Sequence, residues 1–215
     1  MTHLKITALF LSCSLLAACS SGSNESDIPP AEPDAIELGT AVKDVIKPSV
    51  NEDKSANSGV LSVEWDDLVP ADFRPEKIME KYQAEIQATA EGSKEERVLY
   101  DKVMAEYNSA GPNTHLNGKT VRIPGFVAPL DIDGENVVDF LLVPYYGSCI
   151  HSPPPPINQT VMVSPDVGKS ITLNQTAQPV WVVGELMAKD VETDLATAGY
   201  HITNARVEPY VQPAY

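Results

Sequence analysis

The sequence predicts a mainly β domain with an N-terminal helical hairpin, which makes it an α+β fold. Apolar residues recur at helical spacing within residues 61–113, whereas residues 119–210 contain five or six short β-type runs separated by turn residues. Strands of this length and spacing favour a small OB-like barrel, and a small β-sandwich is the alternative. We therefore expect one folded domain, residues 61–215, mostly helical up to residue 113.

Two helices are expected ahead of the strands, at about 75–90 and 93–108. Pro75 suits the first turn of a helix because its missing N–H would have no partner there. Ser93, with Glu96 three residues later, suits a capping box at the start of the second helix. We attribute the apolar stripes of both helices to core packing.

Turn-forming residues divide the second half of the chain into strands. Asp133-Gly134-Glu135-Asn136 has the chemistry of a hairpin turn, and Gly184 within an apolar run suits a bulge or a tight bend. The expected strands are residues 120–127, 137–145, 159–163, 170–173, 180–187 and 200–207.

The first eighteen residues have the features of an export signal. A weakly basic start precedes the apolar stretch Ile6–Leu16, which is shorter than the ~20 residues that span a bilayer. The stretch ends in Leu16-Ala17-Ala18-Cys19, which resembles a bacterial lipobox. We expect residues 1–18 to be removed and Cys19 to be lipidated; an ordinary signal peptide with a chance cysteine is the alternative.

Lipidation of Cys19 would anchor the chain through more than one acyl chain, which stable anchoring requires. Ser20 follows in place of the Asp that is typical of inner-membrane retention. The expected location is therefore the periplasmic side of the bacterial envelope, on the outer membrane.

An acidic flexible tether is expected at residues 19–60. This segment has no aromatic residue, contains four prolines, and carries eight acidic residues against three lysines. Such a composition buries too little apolar surface to fold. As a random coil it would span roughly 35 Å, enough to hold a domain clear of a membrane surface.

The charge balance restricts the class of partner. The chain has 15 Lys and Arg against 30 Asp and Glu, a net charge of −15. A nucleic-acid binder needs a basic footprint, so no nucleic-acid partner is expected. The acidic surface is also unsuited to direct adsorption on anionic lipid, which leaves the lipid anchor as the membrane contact.

The segment after the second predicted strand carries the candidate chemistry. Cys149 is the only thiol left once Cys13 is removed with the signal and Cys19 is acylated. Cys149 and His151 would project to the same side of an extended backbone. The four prolines Pro153, Pro154, Pro155 and Pro156 would then hold this loop as a stiff polyproline II rod.

Three interpretations of the Cys-x-His pair remain open. A thiolate beside an imidazole is half of a zinc site, and Asp131 at a strand end is the best candidate for a third ligand. The same pair could form a thiol enzyme, with Cys149 as nucleophile and His151 as base. The third interpretation is a small buried thiol and a loop histidine, in a domain that acts only as a protein-interaction module.

Several motifs in the folded region occur together in one family. They are Trp65-x-x-Leu68-x-Pro70, Gly125-Phe126-Val127-Ala128-Pro129-Leu130, Phe140-Leu141-Leu142-Val143-Pro144-Tyr145, Cys149-Ile150-His151-x-Pro153-Pro154-Pro155-Pro156-x-Asn158-Gln159, Pro179-Val180-Trp181-Val182-Val183-Gly184 and Ala198-Gly199-Tyr200. Together they resemble the signatures of an uncharacterised family of proteobacterial periplasmic lipoproteins, built on a domain of unknown function.

The resemblance covers about residues 61–210. It implies a cellular context for the protein and does not imply a particular reaction. Members of that family are often encoded beside a MacB-like ABC transporter, in settings linked to zinc limitation. It therefore implies a non-enzymatic binding or accessory protein of a divalent-metal uptake or ABC-transporter system. Zinc is the cation implied, and Cys149 with His151 is the site that would contact it.

Overall fold

One mixed six-stranded sheet organises the chain. The computed structural model describes residues 36–46 and 59–210. The strands are β1 (Leu61–Ser62), β2 (Lys119–Asp133), β3 (Asn136–Val143), β4 (Val161–Pro165), β5 (Val180–Glu192) and β6 (Thr197–Pro209). The α-helices are α1 (Val42–Val45), α2 (Pro75–Ala88) and α3 (Lys94–Asn108), and short 3-10 helices lie at Trp65–Leu68, Thr114–Leu116, Ile157–Gln159 and Leu173–Gln175.

Five of the strands join in a ring. The strand order is β1-β2-β3-β4-β6-β5, and β2 also pairs with β5. β2 is long enough to serve two partners, because residues 119–125 pair with β5 and residues 126–133 pair with β3. The pairs β1–β2 and β4–β6 are parallel, and the ring is not a regular barrel. The mainly β class is confirmed, whereas a sandwich of two facing sheets is wrong.

The main hydrophobic core lies inside this ring. Alternate residues of each strand turn inward, so that Phe140, Val163 and Ile202 have no exposed surface. Tyr200 is equally buried, and its hydroxyl donates to the carbonyl of Leu68 (2.6 Å) and accepts from the amide of Asn113. This single side chain therefore ties the segments before and after the helices to β6.

Helices α2 and α3 lie at the two positions where the sequence predicts helices. Ser93 caps α3, since its hydroxyl accepts from the Glu96 amide at 3.0 Å. The two helices pack through a separate small cluster of buried residues, Ile78, Tyr82 and Leu99. No helix of the described ranges is both long enough and apolar enough to cross a membrane.

The turn predictions are confirmed at two positions, and one predicted strand is wrong. Gly134, with φ of +62°, turns β2 into β3, and the register of β5 against β6 shifts at Gly184. Residues 170–173 make only an isolated bridge, Asn136↔Thr172. Thr172 instead starts a 3-10 helix, because its side chain and that of Gln175 form a capping box.

Residues 36–46 pack against the ring, in contrast to the flexible tether predicted for residues 19–60. We call this segment, Ile36–Ile46, the strap. Val42 and Ile46 are 2% and 7% exposed and belong to the main core, and the strap groups with the ring in one compact unit. The tether prediction therefore fails for the strap, because a few apolar residues there find a surface to cover. The predicted signal peptide, Cys19 and Ser20 lie outside the described residues.

Candidate functional site

The Cys149–His151 segment is a tight turn directly after β3, within residues 145–152, which we call the thiol turn. The carbonyl of Gly147 accepts hydrogen bonds from the amides of Ile150 (3.3 Å), His151 (2.8 Å) and Ser152 (3.2 Å). The amide of Cys149 donates to the carbonyl of Ser152 at 3.0 Å. Backbone hydrogen bonds thus stabilise the turn.

The prediction of an extended backbone at Cys149 is wrong. Its φ of +69° lies in the left-handed region, which non-glycine residues adopt at a cost. The alternation that would place Cys149 and His151 on one side therefore does not apply. His151 is exposed, whereas Cys149 is half-buried and packs against the main core.

Burial sets the chemistry of the Cys149 thiol. Desolvation raises its pKa from 9.0 to about 11, and no opposing contribution from an imidazole lowers it. At neutral pH the group is therefore a protonated thiol. The direction of this shift is opposite to the depressed pKa of an activated thiol.

The predicted third ligand, Asp131, lies elsewhere on the sheet. It is exposed near the end of β2, pairs in register with Asp139, and its carboxylate accepts from the Ile132 amide at 2.9 Å. Within residues 36–46 and 59–210, no group of three or more His, Cys, Asp or Glu is placed to hold a metal ion. Cys149, His151 and Asp131 thus do not form a complete zinc site.

The four prolines run from the thiol turn to the 3-10 helix Ile157–Gln159. Hydrogen bonds join this segment to helix α3 and to Trp65. The Tyr100 hydroxyl donates to the Pro154 carbonyl (3.4 Å), and the Ile157 amide donates to the Asn108 side chain (2.9 Å). The Gln159 side chain donates to the Trp65 carbonyl (2.7 Å).

Asn158 and Gly199, which follow the prolines in the chain, are closely packed in a way that the motif alone does not predict. Asn158 is 2% exposed, and its amide nitrogen has no hydrogen-bond partner among the described residues. Gly199 lies so close to this segment that a Cβ there would come within 2.6 Å of the Ile157 carbonyl oxygen. Both residues occur in the sequence motifs, but only the structure shows that they pack against each other's segments.

A small cleft of about 170 Å³ opens beside the thiol turn. Phe126 and Tyr146 form one wall, with their rings edge to face and 5.4 Å between centroids. Ser148, His151 and Thr176 supply polar groups to the lining. A cleft of this size suits a single side chain of a partner better than a cofactor, which needs about 300 Å³ or more.

Comparison with known proteins now identifies the domain. A model of the family described as "Protein of unknown function (DUF3299)" matches residues 65–209. The chain belongs to the DUF3299 family. It is similar to the crystal structure of a DUF3299 family protein from Pseudomonas aeruginosa PAO1, at 31% identity and a TM-score of 0.53, over 72% of this chain and 99% of that chain. No curated protein matches.

The family match includes the candidate site but not every segment that packs beside it. The DUF3299 region of this chain contains the ring, both long helices, the thiol turn and the prolines, whereas the strap lies outside the matched residues.

Proposed function

We propose that this chain is a non-enzymatic, lipid-anchored accessory protein on the periplasmic side of the envelope. It serves a divalent-metal (zinc) uptake or ABC-transporter system, and the thiol turn is its contact site. The observation that carries the proposal is the rigid, backbone-bonded turn with a protonated, half-buried thiol and an exposed imidazole.

The anchored location rests on the lipobox motif at Cys19, on the absence of Asp at position 20, and on the acidic residues that follow. An anchored accessory protein has to present its contact surface to a neighbour in the same envelope. The strong negative charge of the chain supports a neighbour that carries cations or a basic surface.

The state of the thiol supports binding over catalysis. A nucleophilic cysteine needs a depressed pKa, whereas burial raises that of Cys149 to about 11. The turn instead exposes groups that suit a contact, since Tyr145 and Ile150 are 45% and 50% exposed and His151 is open to solvent. Exposed aromatic and apolar side chains of this kind are common at protein interfaces.

In this proposal a zinc ion would be shared between this chain and its partner. Cys149 and His151 are ligand types that zinc prefers, but the described residues supply no third ligand beside them. A cation held by these two residues would therefore take its remaining ligands from another molecule. Its affinity would rise with pH, because a thiol must lose its proton before it can ligate.

The OB-like fold predicted from the sequence is part of the same proposal. The ring order β2-β3-β4-β6-β5, with the parallel pair β4–β6, supports an OB-like domain. OB-like domains bind their ligands through one sheet face and its loops, which agrees with a contact site in the segment that links β3 to β4.

The test is growth under zinc limitation in a strain of the source bacterium that lacks the chain. Wild type and the control His115→Ala, which changes an exposed histidine in a different part of the domain, should restore growth in the presence of a zinc chelator. Cys149→Ala and His151→Ala should each fail to restore it, at equal protein levels. If all four proteins restore growth equally, or if the deletion causes no defect, the proposal is wrong.

A further inference from the structure

We infer that the strap is a built-in gate on the thiol turn: when it is seated it holds the turn closed and Cys149 buried, and when it is displaced the turn opens. This regulation deepens the proposed function, because it rests on the thiol turn being the functional site. The gating itself is a physical property of the chain, and it can be measured without zinc or a partner.

Three backbone hydrogen bonds join the strap to the start of the turn and to Pro144 just before it. The Gly39 amide donates to the Tyr146 carbonyl (2.9 Å), and the Tyr146 amide donates to the Thr40 carbonyl (3.0 Å). The Val42 amide donates to the Pro144 carbonyl at 2.8 Å. The contact is a short antiparallel bridge, Ala41↔Tyr145, made at an edge where the chain leaves β3.

Side chains hold the strap at both of its ends. Val42 and Ile46 enter the main core. Leu38 lies directly on Gly147, so closely that a Cβ on this glycine would overlap the leucine methyl group. Leu38 is 57% exposed, which means that it covers the turn from outside and is not part of the core.

Gly147 links the strap to the thiol. Leu38 rests on this residue, and the Gly147 carbonyl accepts the three amides that shape the turn around Cys149. Loss of the strap would free the Tyr146 backbone on one side of Gly147 and uncover Gly147 itself. The hydrogen bonds that keep Cys149 in its left-handed, half-buried position would then lose their support.

Displacement of the strap would leave the strand pairing of the ring intact. The five ring strands pair with one another without any contribution from residues 36–46, and the family match begins only at residue 65. Along the chain the strap also lies between Cys19 and the ring. A force on an anchored N-terminus, or a partner that binds there, would therefore act on the strap before it acts on the domain.

The experiment measures labelling of Cys149 in the full chain with Cys13→Ser and Cys19→Ser, so that one thiol remains. Val42→Asp places a charge at a buried strap position, and Lys43→Asp places the same charge at the exposed neighbour. With a disulfide reagent at pH 8, we expect Val42→Asp to be labelled at least tenfold faster than the parent and Lys43→Asp at the parent's rate. Circular dichroism should show the ring folded in both.

Leu38→Ala provides a second measurement that does not disturb the core. It should raise the labelling rate several-fold and speed hydrogen exchange at the amides of Ile150, His151 and Ser152, with unchanged thermal unfolding. Parental labelling and exchange in folded Val42→Asp, or in Leu38→Ala, would overturn the gate. Failure of the growth test with the labelling result intact would instead refute the proposed function and leave the gate standing.

Discussion

The ring and the thiol turn are adjacent in the chain but are held by different forces. In the ring, Phe140 and Leu142 are completely buried, so its stability comes from apolar surface removed from water. In the turn, the Gly147 carbonyl and its three amide donors provide the structure, and Cys149 is only half-buried. A substitution in the ring should therefore change stability, whereas one in the turn should change access and chemistry.

The largest effect is expected in the ring. Phe140→Ala leaves a cavity among fully buried neighbours and should lower the free energy of unfolding by about 3–5 kcal/mol. Urea denaturation followed by circular dichroism measures the change. A loss below about 1 kcal/mol would show that the ring interior is not the main source of stability.

Tyr200→Phe tests a buried hydroxyl on β6. The substitution removes the hydroxyl that donates to the Leu68 carbonyl and accepts from the Asn113 amide, and it leaves both backbone groups without that partner. We expect a loss of about 1–3 kcal/mol in the same denaturation experiment. Tyr145→Phe, at a side chain that is 45% exposed, is the matched control and should change stability far less.

Gly147→Ala should have a smaller effect on stability and a larger one on the turn. The glycine has φ of +81°, and an added Cβ would overlap Leu38. We expect about 1–2 kcal/mol of destabilisation, together with faster labelling of Cys149. Gly168→Ala is the control, because that glycine has φ of +74° with open space around its Cβ position. Equal labelling rates in the two variants would contradict the role of Gly147.

The smallest effect on stability concerns the pH dependence of Cys149. Its pKa is about 11 in the folded chain against 9.0 as the reference, so the folded state holds the proton more tightly. The stabilising contribution is complete below pH 9 and is lost as the pH rises from 9 to 11. Iodoacetamide labelling of the folded chain should therefore follow an apparent pKa near 11. A midpoint near the reference value of 9.0 would show instead that the thiol is not desolvated.

Part of the fold could be predicted because it depends on local pattern. The alternation within β2 and β3, the turn at Gly134 and the cap at Ser93 all follow from residues close in the chain. The strand predicted at residues 170–173 is wrong because the side-chain cap at Thr172 competes with the β pattern. The closure of the ring by β2 with β5 could not be read from the sequence, since the paired residues are about sixty positions apart.

The motif marks where the candidate site lies in the chain, but it does not predict the geometry of that site. The Cys-x-His pair and the prolines mark the segment. The left-handed φ of Cys149 and the three hydrogen bonds accepted by the Gly147 carbonyl, however, arise from backbone contacts that no motif encodes. Asp131 is predicted from its carboxylate and its place at a strand end, and the structure places it where no cluster of ligands forms among the described residues.

The sequence by itself determined the β character of the chain, the positions of α2 and α3, and the segment around Cys149, because apolar period, caps and turn residues act over a few positions. Only the tertiary structure decided that the strap packs on the ring, since its composition favours disorder and a few buried side chains reverse that preference. Only the tertiary structure decided that the pKa of the Cys149 thiol is raised to about 11, because a pKa depends on the water excluded by residues distant in the chain.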